Sequence, residues 1–307
     1  MINCDDNYNF LKCKLVNTWG IMYNCDIYNP DENNIKMQDY LNSINWDDIK
    51  SGTKLYIGLG YLRYFIDNFL NKLKEPIFLI TGHGDEDAST FKELVNNPLI
   101  IHWFSQNADF IHDKITKIPI GLDYHTLLTS KTHQSWGDNN TPLEQEEHLL
   151  SIASLNIKKK LECYGNYRCS VLCRKYTNDR IESINEIPED LIYYEPQFSL
   201  RIMSWIKQLH YQFVVSPHGN GLDCHRTYEA LALGCYPIVK TSPLDPLFND
   251  LPVLIVNKWS DVSLELLDKT SREFKNKNFN MEKMTLEYWN NVINEHIRLY
   301  KIKLLNL

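Results

Sequence analysis

Arg226 and Glu229 are the two residues whose types and spacing most directly suggest chemistry. They stand three positions apart in a segment, 213–239, that runs from an apolar strand through a Gly-containing loop into a helix and out to a second strand. A guanidinium can grip a diphosphate in a forked geometry, and a carboxylate one turn further can accept two hydroxyl hydrogen bonds from a ribose. Arg226 falls in the first helical turn, where a cation opposes the helix dipole unless it meets an anion. Spacing alone leaves a second reading open: an exposed Arg226–Glu229 helix pair worth a few tenths of a kcal/mol. Ser216, His218, Gly219, Asn220 and Gly221 form the loop before the helix. Gly219 and Gly221 are expected to let the backbone approach a ligand and to take positive φ at little cost. Asp223 is expected to cap the helix, and Gly234 to end it with Pro237 just beyond. Arg174 and Lys175 follow an expected strand over 170–173, so they would face the ligand crevice at its carboxyl edge, with Arg180 as a companion.

The first half offers candidates for proton transfer. His83, Asp85 and Asp87 follow a buried-type strand and lie beside Gly82 and Gly84. Any of them could take a proton from an acceptor hydroxyl, and N-capping by the acids before Ala88 is the structural alternative. Asp123 and His125 follow a short strand over 118–120 and are further base or acceptor contacts. The polar run Ser105, Gln106 and Asn107 ends another strand and could line the cleft, whereas His102 and Trp103 read as packing residues. Cys163, Cys169 and Cys173 lack a CxxC pair, so the cysteines read as small buried hydrophobes rather than metal ligands.

The elements that must position these groups alternate. Strands are expected over 54–57, 76–81, 99–104 and 118–120, with helices over 62–73 and 88–95 between them. The polar stretch 126–145 reads as a linker. A helix over 144–162 follows, then strands at 170–173, 213–216, 237–239 and 253–256. Phe198, Ile202, Trp205, Ile206 and Leu209 share one helical face, and 223–233 is helical. A final amphipathic helix covers about 281–304. Such alternation is the signature of parallel sheets. Two α/β units in tandem fit it best: one over 1–140, one over 141–280, and a terminal helix within 281–307 that would pack back across the junction.

The chain has 307 residues, 43% of them hydrophobic, with 32 basic against 39 acidic residues and a net charge of −7. This is a globular composition, and the negative balance argues against a nucleic-acid coat. No apolar run approaches the roughly 18 residues that span a bilayer. The first residues lack the basic-then-apolar layout of a signal peptide. A cytoplasmic protein is therefore expected.

Arg226, Glu229, Ala230, Leu231, Gly234, Cys235, Pro237, Ile238 and Val239, followed by Leu251, Pro252 and Trp259, carry a resemblance. The segment 210–262 resembles the C-terminal region of the exostosin-like glycosyltransferases and, more loosely, the donor region of fucosyltransferases. The resemblance implies two Rossmann-like domains facing a cleft, the type B glycosyltransferase fold. It also implies an inverting transfer with no required metal or cofactor, from a UDP- or GDP-linked sugar to a glycan, glycolipid or protein acceptor. Arg226 would meet the diphosphate and Glu229 the ribose. The chain departs from the animal exostosins in lacking a membrane anchor and a second catalytic domain. Asp85, Glu86 and Asp87 also resemble the metal-binding triplet of type A glycosyltransferases. Two alternatives follow: a non-catalytic nucleotide or glycan binding module, and a metal-dependent hydrolase built on His83, Asp85 and Asp87.

Overall fold

A computed structural model describes residues 9–30, 35–129, 136–137, 140–169, 175–197 and 199–306. The fold is α/β, with two separate all-parallel sheets. The chain divides into two compact units: one takes the chain up to Ile120 and again from Thr285, the other takes Gly121–Met284. The division thus comes ahead of the polar stretch expected to serve as linker. Gly121, Asp123 and His125 accordingly belong to the second unit.

The first unit holds β1 (Lys54–Gly58), β2 (Ile77–Gly82), β3 (Ile100–Ser105) and β4 (Ile115–Lys117), ordered as they occur in the chain. The apolar runs of β2 and β3 are buried on both faces, as the covered centre of a parallel sheet requires. The short α1 (Thr18–Tyr23) and α2 (Met37–Ser43) precede the sheet, and α3 (Leu62–Asn68) links β1 to β2. The expected 62–73 helix tightens into a 3-10 turn at Leu70–Lys72. The element expected over 88–95 is a 3-10 helix, Ala88–Asn96, kinked at Phe91. The strand expected over 118–120 lies earlier, at β4. Ile118 N–H still reaches the Ser105 carbonyl at 3.0 Å, but Pro119 has no N–H to continue the ladder.

The second unit holds β5 (Lys160–Gly165), β6 (Ile192–Tyr194), β7 (Tyr211–Val215), β8 (Tyr236–Lys240) and β9 (Leu254–Val256), in the order β6-β5-β7-β8-β9. Its helices include α4 (Pro142–Ala153), α5 (Thr177–Glu186), α6 (Arg201–Gln208), α7 (His225–Ala232) and α8 (Leu264–Lys275). The expected 144–162 helix therefore ends early. Thr141 and Glu144 cap α4 reciprocally with Pro142 in its first turn, and the segment from Lys160 becomes β5, with Cys163 fully buried in the second core. The strand expected at 170–173 lies outside the described residues. On α6, Trp205 and Leu209 are buried as expected, but Ile202 is 36% exposed and Arg201 and Gln208 are buried instead. Phe198 lies outside the described residues.

The terminal helix α9 (Leu286–Leu305) belongs to the first unit. It buries Leu286, Trp289 and Ile293, sets Tyr300 edge-on to Phe78 and places the His296 ring 4.2 Å from that of His102, tilted by 40°. Among the described residues no helix is long and apolar enough to cross a membrane.

Candidate functional site

In an open parallel sheet, ligands bind beyond the carboxyl ends of the strands, where the strand order reverses. The first sheet runs in chain order and has no such point. The second reverses between β5 and β7: β5 leads through α5 to β6 on one side, and β7 leads through α7 to β8 on the other. Asn166 and Tyr167 leave β5 there, and the 216–224 loop leaves β7 beside them.

Arg226 reaches this point from α7. Its Nε donates to the Asn166 carbonyl at 3.1 Å, and the guanidinium lies 5.2 Å from the centre of the Tyr167 ring. Its Nη1 is shut off from solvent and, among the described residues, has no hydrogen-bond partner. Among the described residues no carboxylate pairs with it. Burial pulls the guanidinium below its ordinary pKa, and the charge of Arg180 pulls in the same direction. Tyr167 is held in turn: its hydroxyl donates to that of Tyr194 at 3.0 Å and lies 2.7 Å from Ser183 Oγ. Burial raises its pKa, so the ring stays neutral.

Arg180 adds a second guanidinium. Its Nε donates to the His218 carbonyl at 3.1 Å and its Nη1 to the Arg168 carbonyl at 2.8 Å. Gly219 is needed for this approach, since a Cβ there would lie 3.0 Å from Arg180 Nη2. The expectation of positive φ at Gly219 and Gly221 is corrected: neither takes it, and space rather than backbone angle calls for glycine at 219. The loop is tied down by His218 N–H donating to Asp179 Oδ2 at 2.8 Å and by Gly219 N–H donating to the Gly221 carbonyl at 3.0 Å. His218 Nδ1 lies 2.8 Å from the Leu222 carbonyl, which can only accept, so Nδ1 carries a proton there. Ser216 is buried, its hydroxyl turned to Thr227 Oγ1 at 2.9 Å. Asn220 is half-buried at the loop tip.

Asp223 does not cap α7. The N-cap is Cys224 without a side-chain bond, while Asp223 accepts from the Tyr228 hydroxyl at 2.9 Å. Its other oxygen, Oδ1, accepts from the Cys224 N–H at 2.9 Å, just ahead of the helix. Gly234 ends the helix as expected, with φ +63°. Lys175 is exposed, with its Nζ 5.4 Å from the Tyr176 ring, which lies 5.7 Å from His218. Arg174 lies outside the described residues. Tyr194 belongs to the edge strand β6 and packs edge-on against Tyr167.

Glu229 is engaged by Arg201, whose Nη2 donates to Oε1 at 2.8 Å. Arg201 also donates to the Asp123 carbonyl. Asp123 is buried, and its Oδ1 sits 3.2 Å from His125 Nδ1 and accepts from Thr126 N–H at 3.0 Å. Burial alone would raise its pKa. The charges of His125, His225 and Arg201 and the Thr126 bond outweigh it and hold the carboxyl well below the usual carboxylate range. His225 opens α7, four positions before Glu229, and its Nδ1 is 2.7 Å from the Gly121 carbonyl. The His125 and His225 rings are 6.0 Å apart.

His83 and Asp85 belong to the first unit. His83 has φ +48°, takes Gln106 Oε1 on its N–H at 3.0 Å and sets its ring edge-on to Trp19. Asp85 is exposed and Asp87 is buried. Asp87 stands at the N-cap of the 3-10 helix without a side-chain capping bond, and Asp109 accepts from Ser89 N–H instead, at 2.7 Å. Among the described residues no group of three His, Cys, Asp or Glu side chains is placed to hold a metal ion. Ser105, Gln106 and Asn107 are buried in a hydrogen-bonded network: Gln106 Nε2 donates to Thr18 Oγ1 at 2.6 Å, and Asn107 Nδ2 to the Gly84 carbonyl at 3.0 Å.

The structure therefore gathers Arg226, Arg180, Ser216 and His218–Gly221 at the reversal point of the second sheet. Glu229 and Asp123 meet through Arg201. Arg201, His225, Asn166 and Tyr167 escape sequence reasoning. The two residues after β5 are missed because that strand is expected elsewhere, and Arg201 is missed because its partners are remote. Compared with known proteins, the chain matches no family model and no curated protein.

Proposed function

We propose that this chain is a glycosyltransferase of the exostosin-like, type B kind, whose second unit binds a nucleoside diphosphate sugar. The observation that carries the proposal is Arg226: a guanidinium with one nitrogen sealed and unbonded, beside a second guanidinium, at the reversal point of a parallel sheet. A buried, unsatisfied cationic donor is costly, and an anion with several acceptor oxygens would offset that cost. Two cations also suit a leaving diphosphate, doing the electrostatic work a metal does elsewhere. Glu229 would read the ribose.

In the transfer, the acceptor oxygen forms a bond to the anomeric carbon while the bond to the diphosphate breaks and its electrons leave with the phosphate. The acceptor's proton passes to a base. His125 fits that role better than Asp123: the carboxylate is buried and orients the imidazole, as in other His–Asp pairs. His83 and Asp85 offer a second base on the first unit.

A thermal-shift screen with UDP, GDP, CMP and their sugars tests the reading. Nucleoside diphosphates should raise the melting temperature, and Arg226→Ala should abolish both the shift and donor turnover. No shift with any diphosphate would end the proposal. A shift without transfer or donor hydrolysis would leave a binding module.

A further inference from the structure

Glu229 is held in an uneven way. Nε and Nη2 of Arg201 both converge on one carboxylate oxygen, Oε1, at 3.1 and 2.8 Å, instead of forking across the two. Among the described residues nothing hydrogen-bonds Oε2, and the side chain keeps 18% of its exposure. Arg201 itself is only 6% exposed. Its Nη1 donates to Gln145 Oε1 at 3.0 Å and to the Asp123 carbonyl, and its guanidinium lies 4.9 Å from the Trp205 ring. Gln145 is fixed too, since its Nε2 donates to the Tyr124 carbonyl at 2.8 Å. The guanidinium therefore has little freedom, and it passes that rigidity to the carboxylate. Buried ion pairs are poor stabilisers compared with apolar packing. One that immobilises a single oxygen and leaves the other open is better explained by what the open oxygen meets.

We infer that Arg201 is a positioning residue that presents Glu229 Oε2 to a ribose hydroxyl and so makes the site selective for ribonucleotides over deoxyribonucleotides. The inference rests on the reading of the α7 region as a nucleotide site. Arg201 would not touch the ligand; it acts through Glu229.

Calorimetric titration of the full chain tests it, with UDP, GDP, their 2′-deoxy counterparts and inorganic pyrophosphate as probes. The proteins are wild type, Arg201→Met, Glu229→Gln and the double variant. Wild type should prefer the ribo form by about tenfold, the worth of one hydrogen bond to a charged group. Each single variant should lose that preference, and the double variant should lose no more than either. Pyrophosphate affinity should stay unchanged throughout, which also reports that the variants are folded. If Arg201→Met does not fold, Arg201→Lys serves instead. It keeps the charge but supplies a point contact in place of the planar fork, so the preference should fall by at least about threefold. A folded Arg201 variant with undiminished ribo preference would overturn the inference and leave the nucleotide reading standing. Equal binding of ribo and deoxy forms by wild type would overturn the role given to Glu229 and Arg201 together. Failure of wild type to bind any of the probes would remove the nucleotide reading itself.

Discussion

Arg226 sets function against stability at a single residue. Its sealed Nη1 meets no acceptor, and leaving a charged donor unsatisfied costs more than a neutral one, upward of about 1–3 kcal/mol. Replacing it with an apolar chain of similar length should relieve that cost. Arg226→Met is therefore expected to unfold at the same or a higher temperature than wild type without ligand, and to bind pyrophosphate more than about tenfold more weakly. A large loss of stability in the ligand-free variant would show that the guanidinium is structural. This residue was legible in the sequence because its signal is local: a cation in a first helical turn, after a Gly-containing loop. Arg201 was not. Its partner Glu229 is 28 positions away, and nothing near it distinguishes a buried arginine from a solvated one. Asp123 was legible as a titratable group, but its burial was not, so the role proposed for it is to orient His125.

At the level of elements, the β7–loop–α7–β8 segment holds the proposed site, and its strands and helix are the most legible in the sequence. Its apolar strands, its glycines and Pro237 all act over short range. The start of α7 is one residue later than the sequence suggests: Asp223 stands before the Cys224 N-cap, with Oδ1 on the Cys224 N–H and Oδ2 on the Tyr228 hydroxyl. β5 was misplaced because its charged Lys160 and Glu162 continue the polar pattern of the preceding helix, and only packing reveals that Cys163 is core. Two glycine substitutions separate the two jobs glycine does here. At Gly234, φ is +63° and a Cβ would meet nothing, so Gly234→Ala should cost only conformational strain, about 1 kcal/mol in chemical denaturation. At Gly219 the new methyl would crowd Arg180 Nη2 at 3.0 Å, a flexible group that can give way. Gly219→Ala should therefore leave the denaturation midpoint nearly unchanged while weakening pyrophosphate binding.

At the scale of the whole molecule, two sheets of different topology divide the tasks. Only the second reverses its strand order, and the proposed anion site lies at that reversal. The first is completed by α9 from the far end of the chain, and that return carries a pH dependence. His102 lies between Phe104 and His296 with Nε2 2.8 Å from Thr116 Oγ1. Burial lowers its pKa from 6.5 to about 4, and the neighbouring His296 and Lys114 charges add to the effect. The unfolded chain therefore takes up this proton first. Stability is complete above about pH 6.5 and is lost as the pH falls toward 4, by roughly 3 kcal/mol for this group alone. Urea midpoints at pH 7 and pH 4.5 should differ less in His102→Gln than in wild type; an equal difference would remove His102 from the account. Tandem α/β units could be anticipated from alternation of strands and helices, but the change of unit at Gly121 and the return of α9 could not, since both depend on contacts between distant parts of the chain.

Diffraction from crystals grown with uridine or guanosine diphosphate tests the central claim most directly. The account predicts phosphate oxygens within hydrogen-bond distance of Arg226 Nη1, beside Arg180 and the 216–221 loop. A nucleotide bound elsewhere, with Nη1 still unbonded, would contradict it.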